Sequence, residues 1–202
     1  MPCWGRPLRT RRAIENILYQ NIDGWEAFII GDACSYFQEI IDSGDAQLYK
    51  DIAERNGNLI HFFNLDEHKG GFGYWILNYA IEQAKGEYFI FMGNDDIILN
   101  NHFQHYLSEI QETDLNMVFY KTWINPINEI RFPELELNQI GHSEIILRTE
   151  FAKQFKHDEH YGHDWSFIKK IKESTDKIKK AQSKEYTYMV MHLPGFKEEL
   201  ID

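Results

Sequence analysis

The 202-residue sequence predicts an α/β fold, in which a β-sheet is flanked by helices. Two observations predict this class. Short apolar runs alternate with segments whose apolar residues recur at helical spacing. The composition, with 43% hydrophobic and 26% charged residues, is that of a globular protein. No repeat or linker divides the chain, so we expect a single domain over residues 1–202, with a functional boundary near residue 97.

Each element follows from a local pattern. Pro7 suits the first turn of the first helix, and Gly86 follows a helix that it is suited to end. Helical periodicity predicts helices at 8–20, 36–55, 74–85, 101–112 and 165–173. Runs of β-branched and aromatic residues predict strands at 26–30, 59–63, 87–92, 116–120, 128–132, 144–148 and 186–191.

Charge and cysteine content exclude several classes of protein. A net charge of −11 disfavours general nucleic-acid binding, although four arginines cluster near the N-terminus, at positions 6, 9, 11 and 12. The two cysteines, Cys3 and Cys34, are too few for a disulfide framework or a paired-cysteine zinc site, which fits a reducing compartment. No apolar stretch is long enough to span a membrane, and the first 20 residues are too charged for a signal peptide. We therefore expect a soluble cytoplasmic protein.

A pair of carboxylates marks the candidate site. The strand predicted at 87–92 runs into Gly93-Asn94, and Asp95 and Asp96 follow. Ligands of open α/β sheets bind at the carboxyl ends of the strands. Carboxylates are suited to Mg²⁺ or Mn²⁺ and leave room for phosphate oxygens. The alternative is an Asp-rich turn that caps the following helix.

Four segments in this order resemble a known family: MPCWGRP, WEAFIIGDACS, GFGYWILNYAIEQAKGEYFIFMGNDD and YGHDWSF. They are similar to the GT-A nucleotide-sugar glycosyltransferases of family 2. The resemblance implies a mixed, mostly parallel central sheet flanked by helices, with a nucleotide-sugar-binding half at 1–97 and an acceptor-binding half at 98–202. It also implies metal-dependent transfer of a sugar from a nucleotide-diphosphate donor, most often a UDP-sugar, to a hydroxyl of a glycan or glycoconjugate.

The same resemblance implies roles for individual residues. Asp32 would contact the nucleotide base, Asn78 would support the donor-side loops, and Asp164 would deprotonate the acceptor in an inverting reaction. The whole donor-binding set is Pro2, Trp4, Arg6, Asp32, Gly73, Asn78, Asn94 and Asp95. The acceptor-side set is Trp123, His163 and Trp165, and the ligands of a Mn²⁺ or Mg²⁺ cofactor are Asp95, Asp96 and His192.

The sequence departs from the family pattern at several places. Gly93 stands where the family's metal motif opens with an acid, Gly31 replaces one of two paired acids, and Leu77 replaces an arginine. The family's first strand precedes a loop like PCWGRP, so we expect that strand upstream of Met1. A nucleotidyltransferase of similar fold and a catalytically silent sugar- or nucleotide-binding module remain alternatives.

Two local patterns have competing interpretations. Asp164 before an apolar helical run is also typical of a helix N-cap. His157, His160 and His163 recur at intervals of three, which invites a zinc site. That spacing matches no recognised zinc motif, and we expect a solvated or acceptor-binding loop there instead.

Overall fold

Helices flank three hydrogen-bonded sheets in the computed structural model, which describes residues 1–191. The helices are α1 (Pro7–Leu18), α2 (Ser35–Asp42), α3 (Asp45–Arg55), α4 (Tyr74–Gln83), α5 (His102–Ile110), α6 (Thr149–Ala152) and α7 (His163–Ser174). The strands are β1 (Pro2–Cys3), β2 (Glu26–Gly31), β3 (Leu59–Asn64), β4 (Tyr88–Ile90), β5 (Ile97–Ile98), β6 (Met117–Phe119), β7 (Thr122–Ile124), β8 (Glu129–Arg131), β9 (Ile145–Arg148), β10 (Ile178–Lys180) and β11 (Tyr188–Val190). The predicted α/β class is confirmed.

The first sheet has the order β1-β2-β3 and is wholly parallel. Its middle strand, β2, pairs along its full length with β3, from Glu26 opposite Leu59 to Gly31 opposite Asn64. The apolar faces of α1, α2 and α3 pack with this sheet in one core cluster, which includes Ile14, Ile29 and Phe37. Parallel strands end at the same edge, so the loops after β1 and β2 lie side by side.

The other two sheets contain both parallel and antiparallel pairs. The second has the order β10-β6-β9-β4, and β9 runs antiparallel to both of its neighbours. The third has the order β5-β11-β7-β8, in which β11 pairs parallel to β7 and antiparallel to β5. Within residues 1–191 the hydrogen-bonded ladders therefore form one parallel sheet and two mixed ones, where we expected one mixed, mostly parallel central sheet.

Strand β1 lies at the start of the sequence. Pro2 pairs with Ile30 and Cys3 with Gly31, and the Met1 carbonyl accepts a hydrogen bond from Ile30 N at 3.0 Å. Pro2 and Cys3 thus supply strand residues directly before the loop, whereas we expected that strand upstream of Met1.

An apolar cavity of about 320 Å³ lies between β2 and β4.

Two further expectations concern the cysteines and the membrane. Cys3 and Cys34 are both buried and free. Among the helices of residues 1–191, none combines the length and the apolar character that a membrane span requires.

Candidate active site

The loops that follow β1 and β4 are tied together by arginines. Arg6 donates a hydrogen bond to Asp95 Oδ2, and Arg12 Nη2 donates to the Asp95 carbonyl at 2.7 Å. Asn94 Nδ2 donates to Thr10 Oγ1 at 2.8 Å. The N-terminal half of α1 therefore lies against the loop at 93–96, and its arginines bring positive charge to a buried carboxylate.

Asp96 anchors the last described strand. Its Oδ2 accepts from the Tyr188 hydroxyl at 2.7 Å, and its Oδ1 accepts from Met191 N at 2.9 Å. Burial raises the pKa of Tyr188 well above its usual value, so the phenol stays a donor. Each Asp96 oxygen thus has a partner within the chain.

Gly93 is required by the packing of these carboxylates. A Cβ atom at Gly93 would lie 2.6 Å from Asp96 Oδ2 and 3.2 Å from Asp95 Oδ1, closer than ordinary contacts. Gly93 N also donates to the Tyr188 hydroxyl at 3.0 Å. The departure from the family pattern at this position therefore has a steric reason, because an acidic side chain would meet the two aspartates.

Asp32 lies at the carboxyl end of β2 and holds the loop that follows β3. Its two carboxylate oxygens accept from Lys69 N at 2.7 Å and from Gly70 N at 3.0 Å. His68 Nδ1 lies 2.9 Å from Asp32 Oδ2, and the His68 ring contacts Trp4 with centroids 4.3 Å apart. Trp4 is 46% exposed, so the edge beside Asp32 presents a half-open aromatic face.

Gly73 brings α4 against β1. Its φ of +84° is in the left-handed region, and it occupies the N-cap position of α4. A Cβ atom there would lie 2.9 Å from Pro2 Cβ. Any larger residue would force α4 away from the first strand, so the predicted donor-side residues Pro2 and Gly73 do meet.

Asn78 connects the two halves of the chain. Its Nδ2 donates to the His157 carbonyl at 3.1 Å, and its Oδ1 accepts from His157 N at 2.7 Å. These bonds join α4 to the segment that leads into α7. A donor-side helix thereby positions the segment that carries Asp164.

Asp164 is the second residue of α7 and not its N-cap. The N-cap is Gly162, with a φ of +80°, and no side chain caps this helix end. Asp164 Oδ1 accepts from Trp165 N at 2.8 Å, and its Oδ2 lies 3.6 Å from the Cβ position of Gly141. The N-cap interpretation of Asp164 is therefore wrong, and its carboxylate points toward the loop at 141.

The predicted acceptor-side residues are not brought together. Trp123 is in the third sheet and stacks with Tyr186, with centroids 5.3 Å apart. Trp165 packs against the core cluster of the second sheet. His163 is buried, so its ring does not face an open acceptor surface as we expected. His192, predicted as a metal ligand, lies outside the described residues.

Two residues near this edge carry no local sequence signal. His68 lies between Asp32 and Trp4, and Tyr188 joins Gly93 to Asp96. Both contacts bridge residues far apart in sequence, so spacing alone does not indicate them. The resulting site has two parts. The aromatic face of Trp4 lies beside buried Asp32 at the end of β2, and buried Asp95 pairs with Arg6 in the loop after β4.

Comparison with known proteins identifies the class. The sequence profile of glycosyl transferase family 2 matches residues 1–174, so the chain belongs to this family. Crystal structures of S. aureus TarS 1–349 share the fold. The complex with UDP has a TM-score of 0.72 at 16% identity, covering 94% of this chain and 58% of that chain. The complex with UDP-GlcNAc has a TM-score of 0.71 at 17% identity, covering 96% and 58%. The predicted GT-A fold is confirmed.

Curated relatives are longer than this chain. An uncharacterized glycosyltransferase of Rickettsia felis is 30% identical over 104 residues, which is 52% of this chain and 15% of that protein. WcaA of Escherichia coli (strain K12), whose name links it to colanic acid biosynthesis, is 29% identical over 120 residues, or 59% and 39%. The chain thus spans well under half the length of these relatives.

Proposed function

We propose that this domain transfers a sugar from a UDP-sugar to a hydroxyl of a glycan or glycoconjugate, with inversion at the sugar carbon. The observation that carries the proposal is the buried Asp95 carboxylate, held against Arg6 at the strand edge of a family 2 domain. TarS, which shares the fold, has been crystallised with UDP and with UDP-GlcNAc. The name of WcaA links a relative to the biosynthesis of a polysaccharide, which favours a carbohydrate acceptor.

The nucleotide base would lie on the Trp4 face. A planar base can stack on an exposed aromatic ring, and Trp4 is half exposed beside Asp32. Both Asp32 oxygens already bind backbone N–H groups of the loop at 69–70. Asp32 would therefore act by shaping this loop and by accepting one further hydrogen bond from the base, since each carboxylate oxygen has two lone pairs.

The residues around Asp95 fit a divalent cation. Asp95 supplies hard carboxylate oxygens, which suit Mg²⁺ or Mn²⁺, and Asp96, which accepts from Tyr188 and from a backbone N–H, lies beside it. When bound, the ion would neutralise charge on the departing nucleoside diphosphate. Arg6 contacts Asp95 directly, so its guanidinium is within reach of a diphosphate beside that carboxylate and would add a bidentate donor.

Asp164 would act as the general base on the acceptor hydroxyl. Its half-buried carboxylate sits in the first turn of α7, on a segment that Asn78 fixes to the donor side. General-base catalysis contributes typically about 10² to 10⁴ in rate. Trp123 and Trp165 remain candidates for aromatic contacts to a sugar, on separate faces of the acceptor half.

Product analysis tests the proposal against its alternatives. The protein is incubated with UDP-sugars and Mn²⁺, with and without carbohydrate acceptors, and the phosphate products are separated. Release of UDP supports a glycosyltransferase, release of the sugar 1-phosphate indicates transfer of the uridylyl group by a nucleotidyltransferase, and neither product indicates a silent binding module. Asp164→Asn should release UDP far more slowly than wild type, whereas Asp176→Asn, an exposed acid just after the same helix, serves as the matched control.

A further inference from the structure

Three histidines from separate parts of the chain meet in the interior of the second half. His142 begins a short 3-10 helix, His157 lies in the segment before α7, and His163 is the first residue of α7. One ring nitrogen of each lies within 4.8 Å of those of the other two. His157 and His163 are more than nine-tenths buried. His160, which the interval of three would include, stays outside with its side chain 55% exposed.

The tautomer of His157 is set by Asn78. The orientation of the Asn78 amide is fixed, because its Nδ2 donates to the His157 carbonyl and its Oδ1 accepts from His157 N. The atom that faces the His157 ring is therefore the oxygen, which can only accept. His157 Nδ1 lies 3.2 Å from that oxygen and therefore carries the proton. The lone pair of a neutral His157 ring is then on Nε2, which lies 2.8 Å from His142 Nε2. A side chain that orients an imidazole in this way is typical of the groups behind metal ligands.

The third ring has a nitrogen that the protein leaves unused. His163 Nδ1 is buried and has no hydrogen-bond partner within residues 1–191. Burial lowers the pKa of the His163 ring, and the backbone carbonyl of Phe72 raises it, as an acceptor beside its other nitrogen would. Since Nδ1 has no partner, the proton belongs on Nε2, and a lone pair is left on the buried Nδ1. A buried acceptor without a partner is unfavourable, and the cluster as described offers it no donor.

The protonation state of the cluster also suits metal binding. Burial lowers the pKa of all three rings, to about 3 for His157, and the neighbouring imidazoles lower it further for His142. Asp164 and Asp158 oppose the lowering of the pKa at His163, whereas at His157 Asp158 opposes it and Lys170 adds to it. The three rings are therefore neutral near pH 7, the state in which imidazole binds a metal.

We propose that His142, His157 and His163 form a binding site for a divalent transition metal, with Zn²⁺ as the best-suited ion. Tetrahedral zinc with Zn–N bonds of about 2.0–2.1 Å separates its nitrogens by about 3.3–3.4 Å. In the cluster the Nε2 atoms of His157 and His142 are 2.8 Å apart, and the three ligand nitrogens all lie within 4.8 Å of one another, so small rotations of the rings would accommodate the ion. Nitrogen ligands also separate this site from the carboxylate site at Asp95, which suits Mg²⁺ or Mn²⁺.

The surroundings indicate a structural role for the ion. Phe167 stacks on His157 with centroids 4.0 Å apart, and Phe91 stacks on His142 at 4.6 Å. This aromatic shell shields the cluster from solvent. A metal there would join the loop at 142, the segment at 157 and the start of α7, and Asp164 follows directly in the chain. The ion would thus hold the helix that presents the proposed general base.

Metal uptake by the full chain tests this proposal without any assay of activity. After treatment with a chelator and equilibrium dialysis against Zn²⁺ alone, wild type should retain one tightly bound Zn²⁺ per chain. His163→Ala and His142→Gln should weaken Zn²⁺ binding at least tenfold, whereas His160→Ala should bind like wild type. Asp95→Asn should also keep its Zn²⁺. The zinc result is therefore independent of whether Asp95 belongs to a donor site.

Visible absorption of Co²⁺ gives a second readout on wild type, which does not depend on how well a variant folds. Intense bands of tetrahedral Co²⁺ that Zn²⁺ displaces support the site. Wild type that retains no Zn²⁺ and gives no such Co²⁺ bands would overturn it. Equal loss of Zn²⁺ in His160→Ala and His163→Ala would also overturn it.

Discussion

Restoring the family's opening acid by Gly93→Asp should destabilise this protein and should not improve its metal binding. The reason is the position of the new side chain. A Cβ atom at Gly93 would lie 2.6 Å from Asp96 Oδ2, and that oxygen cannot retreat easily because it accepts from the Tyr188 hydroxyl at 2.7 Å. The new carboxylate would also face two existing ones in a buried region.

The size of the effect follows from two opposing contributions. Overpacking of a well-packed site costs about 1–3 kcal/mol, whereas replacing glycine stabilises by about 0.4–1 kcal/mol through the unfolded chain. Gly93→Ala should therefore lower the free energy of unfolding by about 1–2 kcal/mol, a fall in Tm of about 2–8 °C for a chain of this length. Gly93→Asp should lose more than Gly93→Ala, because like charges repel in a buried site.

Urea denaturation and thermal melting at pH 7 with a chelator present measure both variants. Gly86→Ala is the matched control, because Gly86 precedes β4, the strand that Gly93 follows. A Cβ atom at Gly86 would lie 3.4 Å from the nearest atom outside its chain neighbours, which is an ordinary contact. Mn²⁺ titration then compares wild type with Gly93→Asp. Wild-type stability together with tighter Mn²⁺ binding in Gly93→Asp would refute the steric argument.

Three further predictions concern other residues. Glu144→Gln should lower the free energy of unfolding by about 1–3 kcal/mol, measured by urea denaturation, because fully buried Glu144 accepts two hydrogen bonds from partly exposed Arg131 at 2.6 and 2.8 Å. Burial lowers the pKa of His102 to about 3, so stability should fall as pH drops below about 6.5, by about 2 kcal/mol between pH 7 and 5 from this residue. His102→Gln should flatten that pH dependence, and an unchanged slope would contradict it. Asp32→Asn should raise donor KM more than it lowers kcat, and a pure kcat defect would refute its place in donor binding.

Long uninterrupted elements could be predicted from the sequence. The apolar runs at β2 and β3 and the periodicity of α1 and α4 gave ranges within a few residues of those observed. Strands β5, β7 and β10 were missed, because two or three residues carry no pattern of their own. Their strand geometry comes from distant partners, as when Ile97 pairs with Met189. Mixed pairing was expected, but the division of the ladders into three sheets was not.

In the candidate site, too, features with a local sequence pattern could be predicted, and features that depend on distant contacts could not. Local spacing placed Asp32 at the end of a strand and Asp95 in the loop that follows another, where the structure also has them. It could not indicate that His142 lies beside His157 and His163 while His160 stays exposed, since this depends on tertiary packing. Nor could it explain Gly93, because the atoms that exclude a side chain there belong to folded Asp95 and Asp96.

Calorimetric titration with UDP tests the proposed donor site. Wild type should bind UDP with one site per chain and more tightly with Mn²⁺ than with chelator. Asp95→Asn should lose the Mn²⁺-dependent part of the affinity, whereas Asp45→Asn, an acid at the start of α3 that pairs with Arg11, should bind UDP like wild type. Equal UDP affinity with and without Mn²⁺, or unchanged Mn²⁺-dependent binding in Asp95→Asn, would contradict the proposed site.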